Sequence, residues 1–342
     1  MSLKNLNASK KTHKFLIDKL KDKKVFQIYK KFEKNLNLEQ DFIVAVSGGP
    51  DSLALSFLTK IYSIQKSVNV SYFLVDHKLR VNSSEEAKFV KKLLRKISIK
   101  LSILKWNGKK PKKNIQSIAR VKRYALLKKQ CKKLKIKHVL LGHHKEDLIE
   151  NFFIRMFRGS GLNGMVSLDE KSENEKINIS RPLINFSKEN LIYISKKIFK
   201  TYVDDPSNKD ENFKRVRIRN LIKKLQSEGL DTKKLDLTIK NLKYANNTIK
   251  FYIEKNIIDN SSLLSKKKSI LLNKEFFSQP EEVIFRSLTE IIKIVGMKYY
   301  PVRGKKIIKI IELIKDNHYF KITLGNCLIR RVNDTIILSK ER

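Results

Sequence analysis

A short run of small and polar residues in the first third of the chain has the composition of a phosphate-binding turn. It lies between the apolar stretch 42–46, which predicts a buried strand, and the apolar stretch 53–58, which predicts a buried helix. The run consists of Ser47, Gly48, Gly49, Pro50, Asp51 and Ser52. Glycines let the backbone approach a ligand, and the N–H groups and dipole of a helix start favour its negative charge. Because the Gly-Lys-Ser/Thr sequence is missing, a kinase-type loop is disfavoured, and an ordinary turn is the alternative.

A second group of polar residues follows another predicted strand and could bind a cation. It consists of Gly142, His143, His144, Glu146, Asp147 and Glu150. Asp147 and Glu150 are three residues apart, so they share one face of a helix. In a strongly basic chain this cluster suits a cationic substrate, although Glu146 and Asp147 would equally complement a helix dipole. The histidines lack His-x-x-x-His spacing and neighbouring cysteines, which argues against zinc; they could contact a nucleotide, or one could simply pack.

Alternating strands and helices must position these two groups. Strands are predicted over 42–46, 68–75, 101–106 and 138–141, and helices over 84–97, 115–134 and 146–157. This alternation predicts βαβ units, and hence an α/β fold with a mostly parallel, doubly wound sheet covered by helices on both faces. Ligands bind at the carboxyl ends of the strands in such sheets, so both groups should meet there, together with Asp76 and His77.

The pattern changes along the chain and predicts three parts. Residues 1–40 predict a basic helical extension, and residues 41–220 a catalytic domain. Residues 221–342 predict a mainly helical domain, with long helices over 235–258 and 275–295. Three short strands over 320–324, 327–332 and 335–338 should close it as a small sheet, because Gly325-Asn326 and Asn333-Asp334 are good hairpin turns.

Composition points to a polyanionic partner. The chain has 75 Lys and Arg against 34 Asp and Glu, a formal net charge of +41, which favours nucleic acid, although a compositional bias toward lysine is an alternative source of the excess. Two isolated cysteines argue against a disulfide framework and for a reducing compartment. The chain shows neither an apolar leader nor an apolar run of membrane length, so a cytoplasmic protein without membrane association is expected.

Five stretches, in chain order, resemble the tRNA(Ile)-lysidine synthase family of the PP-loop ATP pyrophosphatase superfamily. They are residues 47–52; residues 75–80; Ala119-Arg120 with Arg123-Tyr124; residues 141–147 continuing to the Arg-Gly-Ser-Gly of 158–161; and Asp205-Pro-Ser-Asn with Arg215, Arg217 and Arg219. The resemblance is dense over residues 40 to 220. Two departures occur: Glu146-Asp147-Leu148 replaces the usual Asp-Asp-Gln, and Arg215-Val216-Arg217 replaces Arg-Asn-Arg.

The resemblance implies a two-step reaction that joins L-lysine to the wobble cytidine of a CAU-anticodon tRNA(Ile). The cytosine O2 attacks the α-phosphorus of ATP and releases pyrophosphate; the lysine amine then attacks C2 and AMP leaves. It implies catalytic roles for Asp51, Asp147 and Glu150, with Asp51 as the best candidate ligand for Mg²⁺. ATP-binding residues would be residues 47–52, Arg120, Gly142 and His143; lysine-binding residues Glu146, Asp147 and Glu150; tRNA-binding residues Arg155, Arg158, Arg215, Arg217 and Arg219. A homodimer is possible.

Three other functions fit parts of the sequence. A PP-loop tRNA thiolase would also be basic, but such enzymes generally use cysteines near the site. A PP-loop synthetase that uses ammonia would need an ammonia source and has no reason to be so basic. A tRNA-binding chaperone without catalysis would not need the loop at 47–52 or the acidic cluster. Pyrophosphate release from ATP, with and without tRNA and lysine, would separate these possibilities.

Overall fold

The computed structural model divides the chain into two compact units, Met1–Asp236 and Leu237–Arg342. It describes residues 13–108, 111, 115–168, 171–174, 177–208, 210–264, 269–298, 302–316 and 319–341. The first twelve residues of the predicted helical extension therefore lie outside the described residues. Residue 220, a predicted domain limit, lies within the helix Lys214–Ser227, and the division between the units follows Asp236.

The first unit is built on a six-stranded sheet. Its strands are β1 Phe42–Val46, β2 Val70–Asp76, β3 Leu101–Lys105, β4 His138–Leu140, β5 Lys171–Asn174 and β6 Ile177–Ser180. Their order is β3-β2-β1-β4-β6-β5; neighbours are parallel except for the antiparallel pair β5 and β6. The predicted mostly parallel sheet is confirmed, whereas the hairpin of β5 and β6 was not predicted. The strand order reverses between β1 and β4, so a crevice for ligands is expected at their carboxyl ends.

The helices of this unit cover both faces of the sheet. They are α1 Lys23–Leu36, α2 Pro50–Lys66, α3 Ser83–Arg95, α4 Ile115–Leu134, α5 Lys145–Met156, α6 Leu162–Met165, α7 Lys188–Phe199 and α8 Lys214–Ser227, with a 3-10 turn at Pro206–Asn208. Strand β1 is buried on both sides: Phe42 and Val44 belong to one apolar cluster and Ile43 to another. Burial on both faces explains why β1 is apolar throughout, with no alternation of polar residues.

The second unit combines helices with an antiparallel sheet. Helix α9 spans Thr232–Asn260, and α10 Glu281–Val295 and α11 Gly304–Lys315 follow it. The sheet has the order β7-β8-β11-β10-β9, with β7 Ser261–Leu264, β8 Ser269–Leu272, β9 Lys321–Leu324, β10 Cys327–Val332 and β11 Thr335–Lys340. Both predicted hairpins form, and the positive φ angles of Gly325 and Asn326 suit their tight turn.

The prediction of one helix over 275–295 is wrong. The structure has a 3-10 turn at Lys274–Phe277, and the α-helix begins only at Glu281, after Pro280. Proline lacks an N–H, and its ring disfavours helical conformation in the residue before it, so the two segments cannot join. Over the described parts of the chain, none of the helices combines the length and the apolar character needed to cross a bilayer.

Candidate active site

The predicted phosphate-binding turn connects β1 to α2, and its backbone requires glycine at position 48. Gly48 has φ +93°, and a Cβ there would lie 2.6 Å from Val90 Cγ2 on α3. The carbonyl of Gly48 accepts a hydrogen bond from Val203 N–H at 3.0 Å, which ties the turn to the segment that follows α7. The turn is therefore held in a conformation that leaves no space for a side chain at this residue.

The hydroxyl of Ser52 organises the turn from inside. Its Oγ accepts hydrogen bonds from the N–H groups of Ser47 at 3.1 Å and Gly48 at 3.0 Å, and donates to the Gly49 carbonyl at 3.0 Å. Ser52 is buried, so its hydroxyl shapes the loop in this structure. The N–H groups of Asp51 and Ser52 lie in the first turn of α2, where no intrahelical acceptor exists, and could bind an anion.

The loop after β4 packs directly on the turn after β1. A Cβ on Gly142 would lie 3.3 Å from the backbone carbonyl of Asp51 and 3.3 Å from the amide nitrogen of Ser52. This close approach of two backbones occurs where the strand order of the sheet reverses. The two groups of polar residues that the sequence places far apart therefore meet at one edge, as predicted.

His144 lies at the centre of this meeting point. Its Nδ1 is 2.9 Å from Glu146 Oε2, and its Nε2 is 3.5 Å from Asp51 Oδ2 and 3.6 Å from Asp147 Oδ2. The backbone N–H of His144 also donates to Asp147 Oδ2 at 3.1 Å. Burial opposes a charged ring, but the three carboxylates outweigh it and raise the pKa of His144 to about 10. The ring is therefore an imidazolium at neutral pH.

The acidic cluster on α5 splits into different environments. Glu146 Oε2 accepts a hydrogen bond from the N–H of Lys188 at 3.0 Å in addition to its contact with His144. Burial raises the pKa of Asp147, but the charges of His144 and Arg215 outweigh it and lower that pKa overall. Asp147 thus stays a carboxylate in a mainly buried position.

Glu150 forms a buried ion pair with a residue of α8. Its Oε1 accepts a hydrogen bond from Arg219 Nε at 2.7 Å, while its Oε2 is buried and has no hydrogen-bond partner among the described residues. The Glu150 side chain is only 3% exposed. A buried carboxylate oxygen without a partner is costly, so this position favours a cationic or hydrogen-bonding ligand.

Two further histidines at this edge remain neutral. Burial, followed by the charge of Arg123, lowers the pKa of His77 to about 4. Burial lowers the pKa of His143 to about 3, against the opposing charge of Asp147; the charges of Arg181, Arg120 and Arg215 contribute to the lowering. Among the described atoms, neither ring nitrogen of His77, nor Nδ1 of His143, has a hydrogen-bond partner. Both rings could therefore accept or donate to a bound ligand.

The predicted arginines are spread over several environments. Arg120 is exposed, and its guanidinium lies 5.1 Å from the Tyr124 ring centre. Arg217 is exposed and donates to the carbonyls of Glu211 and Asn212 at 2.8 and 3.2 Å. Arg155 is half-buried near the end of α5, Arg158 is exposed just beyond it, and Arg215 is half-buried on α8.

Sequence reasoning missed two features of the site. It did not foresee the ion pair between Arg219, which was predicted to bind tRNA, and Glu150, and no local signal in the sequence indicates that pairing. It also gave His144 no specific partner, although Glu146 and Asp147 follow two and three residues later.

The donor set at the turn fits a magnesium ion bound mainly through phosphate. Asp51 Oδ1 is buried without a hydrogen-bond partner among the described residues. Within the described parts of the chain, no group of three or more His, Cys, Asp or Glu side chains is arranged to hold a metal ion. One carboxylate plus substrate phosphates and water is the usual arrangement for Mg²⁺ at nucleotide sites.

Comparison with known families agrees with the loop geometry. The family model described as a PP-loop domain matches residues 20–225, which is more than half of the chain. A U34-tRNA thiolase, NcsA from Methanococcus maripaludis, solved with its 4Fe-4S cluster, has a similar fold with a TM-score of 0.56. It is 14% identical in sequence, and the match covers 65% of this chain and 78% of that chain, so it is informative about fold alone. The fold and the turn thus define a PP-loop protein.

Similar sequences narrow the class. A tRNA(Ile)-lysidine synthase of Wolbachia sp. subsp. Brugia malayi is 33% identical over 302 residues, covering 87% of this chain and 70% of the relative. The tRNA(Ile)-lysidine synthase of Orientia tsutsugamushi is 31% identical over 319 residues, covering 91% of this chain and 71% of the relative. The chain belongs to the tRNA(Ile)-lysidine synthase family.

Proposed function

We propose that this protein uses ATP to ligate L-lysine to C2 of the wobble cytidine of a CAU-anticodon tRNA(Ile), which changes decoding from AUG to AUA. The observation that carries the proposal is the meeting of the PP-loop with an acidic pocket at one sheet edge. Gly142 packs against the backbone of Asp51, and His144 contacts both Asp51 and Asp147. A site that combines an anion-binding turn with carboxylates suits ATP and a cationic second substrate together.

The PP-loop side of the site supports adenylation of the base. The N–H groups at the start of α2 could bind the pyrophosphate portion of ATP, because the helix dipole places partial positive charge at this N-terminus. The charge of Arg120 contributes to the lowered pKa of His143, which supports the proposal that Arg120 meets the α-phosphate. Most of the rate enhancement would come from positioning and electrostatic stabilisation of the phosphoryl charge. Bound Mg²⁺, held by Asp51, would supply further neutralisation of that charge.

The α5 side supports binding of lysine. Glu150 has a buried oxygen with no partner among the described residues, and Asp147 remains ionised, so both can accept hydrogen bonds from an ammonium group. Glu146 already contacts His144 and the N–H of Lys188, so its proposed share in lysine binding is smaller. Neutral His143 lies within electrostatic range of Asp147 and could contact the cytosine or the nucleotide.

Binding of tRNA fits the charge of the protein. The net charge of +41 favours a polyanion and predicts a strong dependence of affinity on salt. Arg158 is exposed just beyond α5, whereas Arg219 is engaged with Glu150 and Arg217 with backbone carbonyls. We therefore expect Arg155 and Arg158 to contact tRNA phosphates, and Arg215 and Arg219 to act inside the site. A homodimer is a separate proposal, which analytical ultracentrifugation would test.

The cysteines separate this proposal from a thiolase. The chain has two, Cys131 and Cys327, and both are free and buried. Burial raises the pKa of each thiol to about 11, so neither is a ready nucleophile at neutral pH. Cys131 lies in the last turn of α4, which runs back toward the amino end of β4 and away from the PP-loop. A reducing compartment such as the cytoplasm suits these free thiols.

Nucleoside mass spectrometry tests the proposal directly. A CAU-anticodon tRNA(Ile) transcript is incubated with the protein, Mg-ATP and lysine, then digested to nucleosides. We expect the mass of one lysine residue to be added to a cytidine. The matched control is the same transcript with uridine at the wobble position, which lacks the reacting cytosine. A folded protein that leaves the cytidine mass unchanged would refute the proposal.

A further inference from the structure

The surroundings of His144 differ from those expected of a histidine that contacts substrate and from those of a histidine that only packs in the core. The residue is 3% exposed, and both of its ring nitrogens face carboxylates. Nδ1 is 2.9 Å from Glu146, and Nε2 lies between Asp51 at 3.5 Å and Asp147 at 3.6 Å. The ring thus connects the PP-loop to α5, two segments far apart in the sequence.

We propose that His144 is a positioning residue that holds the Asp51 carboxylate of the PP-loop and the Asp147 carboxylate of α5 in one fixed arrangement. The inference rests on the proposed function, because Asp51 belongs to the proposed ATP site and Asp147 to the proposed lysine site of that reaction. His144 itself would touch neither substrate. Its effect would reach the reacting atoms through Asp51.

Electrostatics explains why such a connection is needed. Two carboxylates that approach one histidine nitrogen at 3.5 and 3.6 Å repel each other unless a hydrogen-bond donor lies between them. Without the ring, Asp51 and Asp147 would be expected to separate or to bind a proton. Asp51 lies in the first turn of α2, where the proposed phosphate site is, so its displacement would slow adenylation more than it would weaken binding of ATP or tRNA.

Contacts on the far side fix the orientation of the ring. Glu146 Oε2 contacts Nδ1 and also accepts the backbone N–H of Lys188, the first residue of α7. Asp147 accepts the backbone N–H of His144 itself at 3.1 Å. Because both nitrogens have partners, the ring has little capacity left for a ligand. His143 differs, since its Nδ1 is buried without a partner among the described residues.

Adenylation measured apart from lysine transfer tests the inference. We expect His144→Gln to lower the rate constant of tRNA-dependent pyrophosphate release, without lysine, by about thirtyfold or more. The KM for ATP and the Kd for tRNA should stay within about threefold. The matched control is His138→Gln, the same change at the opposite end of β4, which should leave all three quantities unchanged. Wild-type pyrophosphate release by His144→Gln would overturn the inference.

A double-mutant cycle distinguishes positioning from general structural support. If His144 acts through Asp51, the variant that combines Asp51→Asn with His144→Gln should release pyrophosphate about as slowly as Asp51→Asn alone. If the histidine only supports the fold, the two losses multiply, and that result would also overturn the inference. Fluorescence of Trp106, the one tryptophan of the chain, reports whether each variant is folded.

A milder variant keeps the inference testable if His144→Gln does not fold. Glu146→Gln weakens only the outer contact of the ring and should slow pyrophosphate release by about threefold to tenfold. Lysine is absent from this assay, so a loss there is independent of any part of Glu146 in lysine binding. An unchanged rate in Glu146→Gln, with His144→Gln unfolded, would overturn the inference. If the wild-type protein adds no lysine to cytidine, the proposed function fails instead.

Discussion

Two histidines lie before and after the strand β4 core, His138 at its first residue and His144 at the start of α5, and they have opposite properties. His138, at its start, is half-buried and lies 2.8 Å from Gln40 through its Nε2. His144, just beyond its carboxyl end, is buried among three carboxylates and carries a raised pKa. The difference shows that the residue type alone does not define the site. The end of the strand on which a residue lies decides which elements surround it.

The physical reason lies in the parallel arrangement. Helices α2 and α5 begin at the carboxyl edge, so their N-terminal N–H groups and dipoles meet there. At the amino edge, α4 ends near the start of β4 with Lys132 and Lys133 in its last turn. The carboxyl edge of the sheet therefore favours the binding of anions, whereas the amino edge has a structural role. Four predictions test this contrast.

The largest expected effect is that of Gly48→Ala in the PP-loop. The residue has φ +93°, and an added Cβ would lie 2.6 Å from Val90, so both strain and overpacking oppose the change. We expect the first unit to lose about 3 kcal/mol of unfolding free energy. Urea unfolding followed by Trp106 fluorescence measures it. The control is Gly49→Ala, because a Cβ there meets only Ser47 Oγ at 3.9 Å and should cost clearly less. Equal losses would contradict the assignment of strain to Gly48.

The next prediction concerns Asp147→Asn. Removal of a carboxylate from the proposed lysine pocket should lower the rate of cytidine modification at least about tenfold, while tRNA binding persists. The matched control at the amino edge is Asp41→Asn. Asp41 is an exposed carboxylate that accepts a hydrogen bond from the N–H of Asn69 at 2.9 Å. Modification and filter binding of tRNA measure the two effects, and undiminished turnover in Asp147→Asn would remove it from the site.

The third prediction concerns pH and His77. Its folded pKa, about 4, lies below the ordinary value of 6.5, so below pH 6.5 the unfolded chain takes up a proton that the folded chain does not. Stability from this residue is thus present above pH 6.5 and lost as the pH falls toward 4. Between pH 6.5 and 5.5 the loss should be at most about 1 kcal/mol. His77→Gln should remove this part of the pH dependence, and His138→Gln should not. The midpoints of urea unfolding at pH 6.5 and 5.5 measure this loss of stability. If His77→Gln had the same pH dependence of stability as the wild type, the prediction would be wrong.

The smallest expected effect is that of Cys131→Ala. The thiol belongs to the apolar cluster that includes Ile43 and Val139, on the first half of their strands, and its pKa is raised to about 11. We expect lysine addition within about twofold of wild type, with a modest loss of stability from the smaller side chain. Mass spectrometry of the tRNA product measures this. A loss of activity without unfolding would favour cysteine chemistry over the proposed ligase.

The sequence predicted the sheet well because each element has a strong local signal. The helix 115–134 was predicted with its observed limits, and strands β1 to β4 to within two residues. The hairpin of β5 and β6 was missed because its first strand, Lys171–Asn174, is polar throughout and lacks the apolar pattern that predicts a strand. The helix 275–295 was predicted too long because its apolar spacing masked the effect of Pro280.

By itself, the sequence determined that phosphate, a cation and a polyanion are the chemistry to expect here. The glycine turn, the carboxylate cluster and the net charge follow from the residues themselves, whatever the fold of the chain. Only the tertiary structure decided the distant partners: Arg219 with Glu150, and His144 with Asp51. These contacts join segments that are distant in the chain, and a parallel sheet brings such segments together at one edge. The pKa of a buried group depends on the charges that lie near it in space, and the sequence alone does not show which residues those are.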